Sequence, residues 1–163
     1  MTPGPHWVPV GAGRLAIGHR PRARAIPHLP KDGCDRVWTL LSEREGAEEI
    51  GSAVRATGMA WTWLPLADAR PPEGRRNADR ARAALEEVSA ALDAGESVLL
   101  HCSAGLHRTG MIAYALLRRR GLDPGAALDV LDRLRPLARA EATPERLNWA
   151  DRLIDSPMTR ETP

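Results

Sequence analysis

VLLHCSAGLHRTGM, residues 98 to 111, is the stretch on which the reading of the fold turns. It continues from Ser97 as SVLLH, a short and almost wholly apolar run of the kind that forms a strand buried on both faces. Small residues follow at Ser103, Ala104 and Gly105, and from Thr109 to Arg120 the residues have helical character, stopped by Gly121. A buried strand, a tight loop and a helix form the joint of a parallel α/β sheet, and such sheets bind ligands outside the carboxyl ends of their strands.

The rest of the chain repeats that alternation. DRVWTLL (Asp35 to Leu41) is apolar, β-branched and aromatic, and Ser42 with Glu45 forms a capping-box signal for a helix ending near Gly58. MAWTWLPL (Met59 to Leu66) predicts a second strand, closed by Pro65 and the loop ADARPPEG. Ala78, Ala81, Leu85, Val88 and Leu92 fall at three- and four-residue intervals, predicting an amphipathic helix over Arg75 to Ala94. After the central stretch, Asp123 and Pro124 open one further helix and Thr143 caps a last one. RLAIG (Arg14 to Gly18) predicts a short edge strand within a proline-rich beginning of extended pieces and turns. The expected architecture is α/β: a central, mainly parallel, twisted sheet flanked by helices, forming one domain over residues 1–163. Residues 1–13 read as an irregular extension and 156–163 as a flexible tail.

The loop between strand and helix has a chemistry of its own. The start of a helix presents unpaired N–H groups and the positive end of its dipole, so the loop is an anion site before any side chain is considered. Ser103, Ala104 and Gly105 let the backbone curl close to that anion, and Arg108 can clamp two oxygens with its planar fork. The ligand these features favour is a phosphate-like dianion. Cys102 sits in the same field, where a thiol pKa of about 8.5 can drop to about 3.5–7.5. A thiolate beside an oxyanion cradle suggests attack on phosphorus, giving a phosphocysteine that water then hydrolyses, with the Thr109 hydroxyl easing departure of the sulfur.

His101, Cys102, Gly105, Arg108 and Thr109 reproduce HCxxGxxR[ST], and on these residues the chain resembles the cysteine-dependent protein tyrosine phosphatases. Its small size is similar to that of the dual-specificity branch. The segment LPLADARPP further resembles the general-acid loop of that branch, especially of the kinase-associated phosphatase type, and the resemblance implies Asp68 as the general acid. It also implies Cys102 as nucleophile, residues Ser103, Ala104, Gly105, Leu106, His107 and Arg108 as the phosphate cradle, His101 and Thr109 as supporting residues, and no cofactor and no metal. His107 stands where related loops often carry glycine or serine. Leu106 is apolar where phosphoinositide 3-phosphatases carry lysine, which weighs against a highly charged inositol lipid.

Composition narrows the partners. The formal charge is +2, so no global field points to nucleic acid or a membrane surface. No apolar run approaches the roughly 20 residues of a membrane span, and the first residues lack the pattern of a secretory signal, so a cytoplasmic protein is expected. Cys34 and Cys102 lack zinc-ligand spacing, although a redox disulfide between them is conceivable. Trp61 and Trp63, at period two, read as core or helix-packing residues. The expected substrate is a phosphorylated protein or a small phosphomonoester. Three rival readings share the loop: a phosphatase of small-molecule or lipid phosphates, a phosphate-binding module without turnover, and a rhodanese-like sulfurtransferase in which Asp68 is idle.

Overall fold

The structure, a computed structural model, describes residues 4–155. Five strands form one sheet: β1 (Val8–Val10), β2 (Gly13–Gly18), β3 (Arg36–Thr39), β4 (Ala60–Trp63) and β5 (Ser97–His101), in the spatial order β1-β2-β5-β3-β4. β1 pairs antiparallel with β2, and every other pairing is parallel. β5 is central and all five of its residues are buried, as its unbroken apolar run requires. Leu100 is fully buried there, and truncating it to alanine would cost about 2–5 kcal/mol.

Six helices surround the sheet: α1 (Ala47–Ala56), α2 (Arg75–Asp93), α3 (His107–Arg119), α4 (Pro124–Leu134), α5 (Pro136–Ala140) and α6 (Pro144–Asp155). The period-two pleat divides their cores. Leu15, Ile17, Trp38, Leu40, Val98 and Leu100 face one cluster with residues of α2, α3, α4 and α6. Ala16, Val37, Leu41 and Leu99 face the other, with α1 and the 3-10 turn at Ile26–Asp32. Trp61 and Trp63 stack at 5.5 Å on that second side. Gly51 of α1 admits the Trp61 ring, since a Cβ there would lie 2.5 Å from it. The tryptophans are thus helix-packing residues.

Several details differ from the sequence reading. The strand at Arg14–Gly18 is interior, because Val8–Val10, read as part of an irregular extension, forms the edge beyond it. Pro9 is tolerated there because an edge strand leaves one side of its ladder unpaired. The capping box at Ser42 and Glu45 opens only a single 3-10 turn; Gly46, at φ +85, breaks it before α1 begins. The short α5 was not foreseen, and α3 starts two residues early, at His107. The tail expectation for 156–163 lies outside the described residues. Among those described, no helix is long and apolar enough to cross a membrane.

Candidate active site

The parallel register brings the carboxyl ends of the strands level. Gly18, His101 and Thr39 form one row across β2, β5 and β3, and the loops beyond them share one edge of the sheet. The loop after β5 is pressed against the end of β2: the Arg20 N–H donates to the Ser103 carbonyl at 3.0 Å. Gly105 has φ +70, and a Cβ there would lie 2.4 Å from the Gly18 carbonyl oxygen. The strand behind the loop, as well as any anion in front of it, therefore demands glycine. The Gly105 N–H donates to Cys102 Sγ at 3.3 Å, and Cys102 is only 3% exposed, at the floor of the loop.

Arg108 stands on the first turn of α3 and is held by a residue from another loop. Its Nη1 and Nη2 donate to Glu45 Oε1 and Oε2 at 2.7 and 2.9 Å, and Nη1 also donates to the Leu66 carbonyl at 2.9 Å. These bonds use three of the five guanidinium N–H donors. The remaining Nε–H and one Nη2–H lie along one edge of the plane, a fork that fits two phosphate oxygens. The Cys102 side chain lies within hydrogen-bonding reach of this guanidinium and helps to keep it cationic. The Arg108 bond, more than any other influence, drives the Glu45 carboxyl down to about 2, and Glu45 in turn keeps Arg108 firmly cationic.

His101 is fully buried, and burial lowers its pKa to about 4, so the ring is neutral near pH 7. Its Nδ1 lies 3.1 Å from the Cys102 carbonyl, an obligatory acceptor, so Nδ1 carries the proton. The Nε2 atom then accepts from the Thr39 hydroxyl at 2.8 Å, and Thr39 Oγ1 accepts from Trp61 Nε1 at 2.8 Å. A chain of three hydrogen bonds thus runs from β4 to the backbone of the signature loop. Thr109 Oγ1 is buried without a hydrogen-bond partner. It is a hydroxyl with a free donor on the helix turn that carries Arg108.

Asp68 lies on the loop after β4, at the same edge, but its carboxylate is engaged with Arg70. Arg70 Nη2 donates to Asp68 Oδ2 at 2.9 Å and the Arg70 backbone N–H to Oδ1 at 2.8 Å. These bonds hold the Asp68 carboxyl below its ordinary value. In this arrangement the carboxyl is ionised at neutral pH, so acid catalysis requires it to leave Arg70 and take up a proton. His107 Nε2 lies 3.4 Å from Glu141 Oε2, at the exposed rim. Ser103 and Ala104 are exposed, and Leu106 is half-buried.

Cys34 takes no part. The strand register places it level with the start of β5, roughly 20 Å of strand from Cys102 by a rise of about 3.3 Å per residue. A disulfide needs Cα atoms within about 7 Å, so the two cysteines cannot pair in this fold. Burial pushes the Cys34 thiol up to about 11, the mark of a packed core thiol. Among the described residues, no three His, Cys, Asp or Glu side chains group as a metal site. Glu45, Thr39 and Trp61 were missed as site residues in the sequence. Glu45 was visible only as half of a capping box, and that box does form.

Sheet order, signature loop and arginine at a helix start together define a phosphatase of the cysteine-based, tyrosine phosphatase-like superfamily. Residues 34–129 match the model of the tyrosine phosphatase family, and the chain belongs to that family. Tk-PTP in its active form is 26% identical, with a TM-score of 0.73, over 88% of this chain and 92% of that one. Kinase associated phosphatase, with its catalytic-site cysteine replaced by serine, has the same fold at 19% identity and a TM-score of 0.76, over 95% and 97% of the two chains. PTPMT1 in complex with PI(5)P does so at 16% and 0.74, over 91% and 94%.

Proposed function

We propose that this protein hydrolyses phosphomonoesters through a phosphocysteine, acting on phosphotyrosine and also phosphoserine or phosphothreonine in proteins, in the manner of the dual-specificity, kinase-associated branch. The observation that carries this reading is the Nε/Nη2 edge of Arg108, which Glu45 and Leu66 leave free and which lies within hydrogen-bonding reach of Cys102, at the start of α3. Two phosphoryl oxygens on that fork and the third on the loop N–H groups of residues 103–108 bring phosphorus over the sulfur. The Cys102 thiolate forms the S–P bond as the ester O–P bond breaks, and protonated Asp68 gives its proton to the leaving oxygen. Water then attacks phosphorus, the Asp68 carboxylate takes its proton, and the S–P electron pair returns to sulfur. Thr109 Oγ1–H, unpartnered in the resting protein, donates to that departing sulfur. Apolar Leu106 at the rim suits a protein substrate better than a highly charged inositol lipid.

The test is phosphate release from p-nitrophenyl phosphate at mildly acidic pH with chelator present. Wild type should turn over and Cys102→Ser should not, while the serine variant still binds inorganic phosphate. Normal turnover by Cys102→Ser would end the phosphocysteine mechanism. Inactive, folded wild type would turn attention to a binding module or, with thiosulfate as substrate, a sulfurtransferase. Asp68→Asn should slow alkyl phosphates more than aryl phosphates with good leaving groups; equal losses would remove Asp68 as the acid.

A further inference from the structure

The loop that bears Asp68 is gripped on both sides by arginines. Ahead of Asp68, the Leu66 carbonyl accepts from Arg108 Nη1 at 2.9 Å. Behind it, the Ala69 carbonyl accepts from Arg146 Nε at 2.8 Å. Only Ala67 and Asp68 lie between the two gripped residues, so the backbone that aims the carboxylate is set by two guanidinium groups from different helices. The Arg108 grip belongs to the residue that must also receive phosphate. The Arg146 grip comes from outside the signature loop, from the first turn of α6.

Arg146 is itself anchored. Its Nη1 donates to the Glu141 carbonyl at 3.0 Å, and its backbone N–H lies 3.4 Å from the Thr143 hydroxyl that caps α6. The Glu141 side chain reaches His107 of the signature loop at 3.4 Å. The turn between α5 and α6 is therefore in contact with both loops of the candidate site, with the signature loop through Glu141 and with the Asp68 loop through Arg146. A guanidinium can serve two carbonyls at once because its donors are fixed in one plane; an ammonium at the same place has a shorter reach and no such fork.

We propose that Arg146 is a positioning residue for the general acid: it holds the Ala69 carbonyl so that Asp68, once released from Arg70, meets the leaving-group oxygen. The inference rests on the reading of Asp68 as that acid. The guanidinium bonds of Arg146 go to the Ala69 and Glu141 carbonyls, so its loss should act only where acid catalysis matters. Leaving groups that need a proton will feel it, and good leaving groups will not.

The experiment compares wild type, Arg146→Met, Asp68→Asn and the double variant on p-nitrophenyl phosphate and on an alkyl phosphate. Methionine keeps an apolar stem against the half-buried surface while removing every donor. Far-ultraviolet circular dichroism and urea midpoints check that each variant is folded, and Arg146→Lys serves as a second, milder variant. Expected results are an approximately tenfold loss of kcat on the alkyl phosphate for Arg146→Met, less than twofold on p-nitrophenyl phosphate, an intermediate loss for Arg146→Lys, and no further loss when Arg146→Met is added to Asp68→Asn. Equal losses on both substrates, or full additivity with Asp68→Asn, would overturn the inference and leave Arg146 a purely structural residue. If Asp68→Asn shows no leaving-group dependence, the acid assignment falls and this inference falls with it. If Asp68→Asn shows that dependence and both Arg146 variants do not, only the inference fails.

Discussion

Glu45→Gln removes the charge that orients Arg108 while keeping the size of the side chain. The Glu45 carboxyl lies at about 2 in the folded protein against 4.5 ordinarily, with Arg108 as the largest cause. At about 1.4 kcal/mol per pH unit, that difference sets a ceiling of about 3.4 kcal/mol on what ionised Glu45 contributes. Its side chain is 29% exposed and that of Arg108 10%, and solvent screening together with the acceptor that glutamine retains reduces the expected loss to about 1–2 kcal/mol. A carboxyl lowered on folding stabilises the protein above its unfolded value near 4.5, and that contribution disappears as pH falls toward 2. Urea unfolding of both proteins should therefore show the 1–2 kcal/mol difference at pH 7 and less than about half of it at pH 3, with unchanged m-values. A guanidinium free to swing also misplaces the phosphate fork, so kcat/KM for p-nitrophenyl phosphate should drop on the order of tenfold. An unchanged urea midpoint at pH 7, or a loss equally large at pH 3, would refute the charge argument.

Three further outcomes follow from the same geometry. Because burial lowers His101 to about 4 while the unfolded residue titrates near 6.5, wild-type stability should decline by up to about 3 kcal/mol as pH falls through that window; His101→Gln should abolish this decline, and a urea midpoint for wild type that is flat from pH 7 to 4 would contradict it. Arg70→Ala releases the Asp68 carboxyl from the partner that lowers it, so the alkaline limb of the kcat/KM profile should move to higher pH; a stationary limb would show that Arg70 does not control the acid. Thr109→Val deletes a buried hydroxyl without a partner, so urea stability should change by less than about 0.5 kcal/mol, while stopped-flow traces show a p-nitrophenol burst from slowed phosphoenzyme hydrolysis. Equal slowing of both phases would argue against a role confined to the second step.

The signature loop could be read from residue order because its parts are neighbours in the chain. Cys102, Gly105, Arg108 and Thr109 span one strand end and one helix turn, and local backbone geometry alone brings them together. The alternation of apolar runs with amphipathic spacing likewise marked the parallel sheet, since burial on two faces and on one leave different periods. Elements held by distant contacts were less legible. The strand at Val8–Val10 carries a proline and only three residues, and it is a strand because β2 is there to pair with it.

The sequence alone determined the class of the fold and the order of residues in the signature loop, because both depend on spacing within a few residues. Tertiary structure alone decided the partners of that loop. Glu45 is 63 residues from Arg108, Thr39 is 62 from His101, and Arg146 is 77 from Ala69. No local pattern encodes those pairings, since each arises where parallel strands end level and their loops are forced to share one edge. The same packing separated Cys34 from Cys102 along the sheet, an outcome that spacing in the sequence could not distinguish from its alternative.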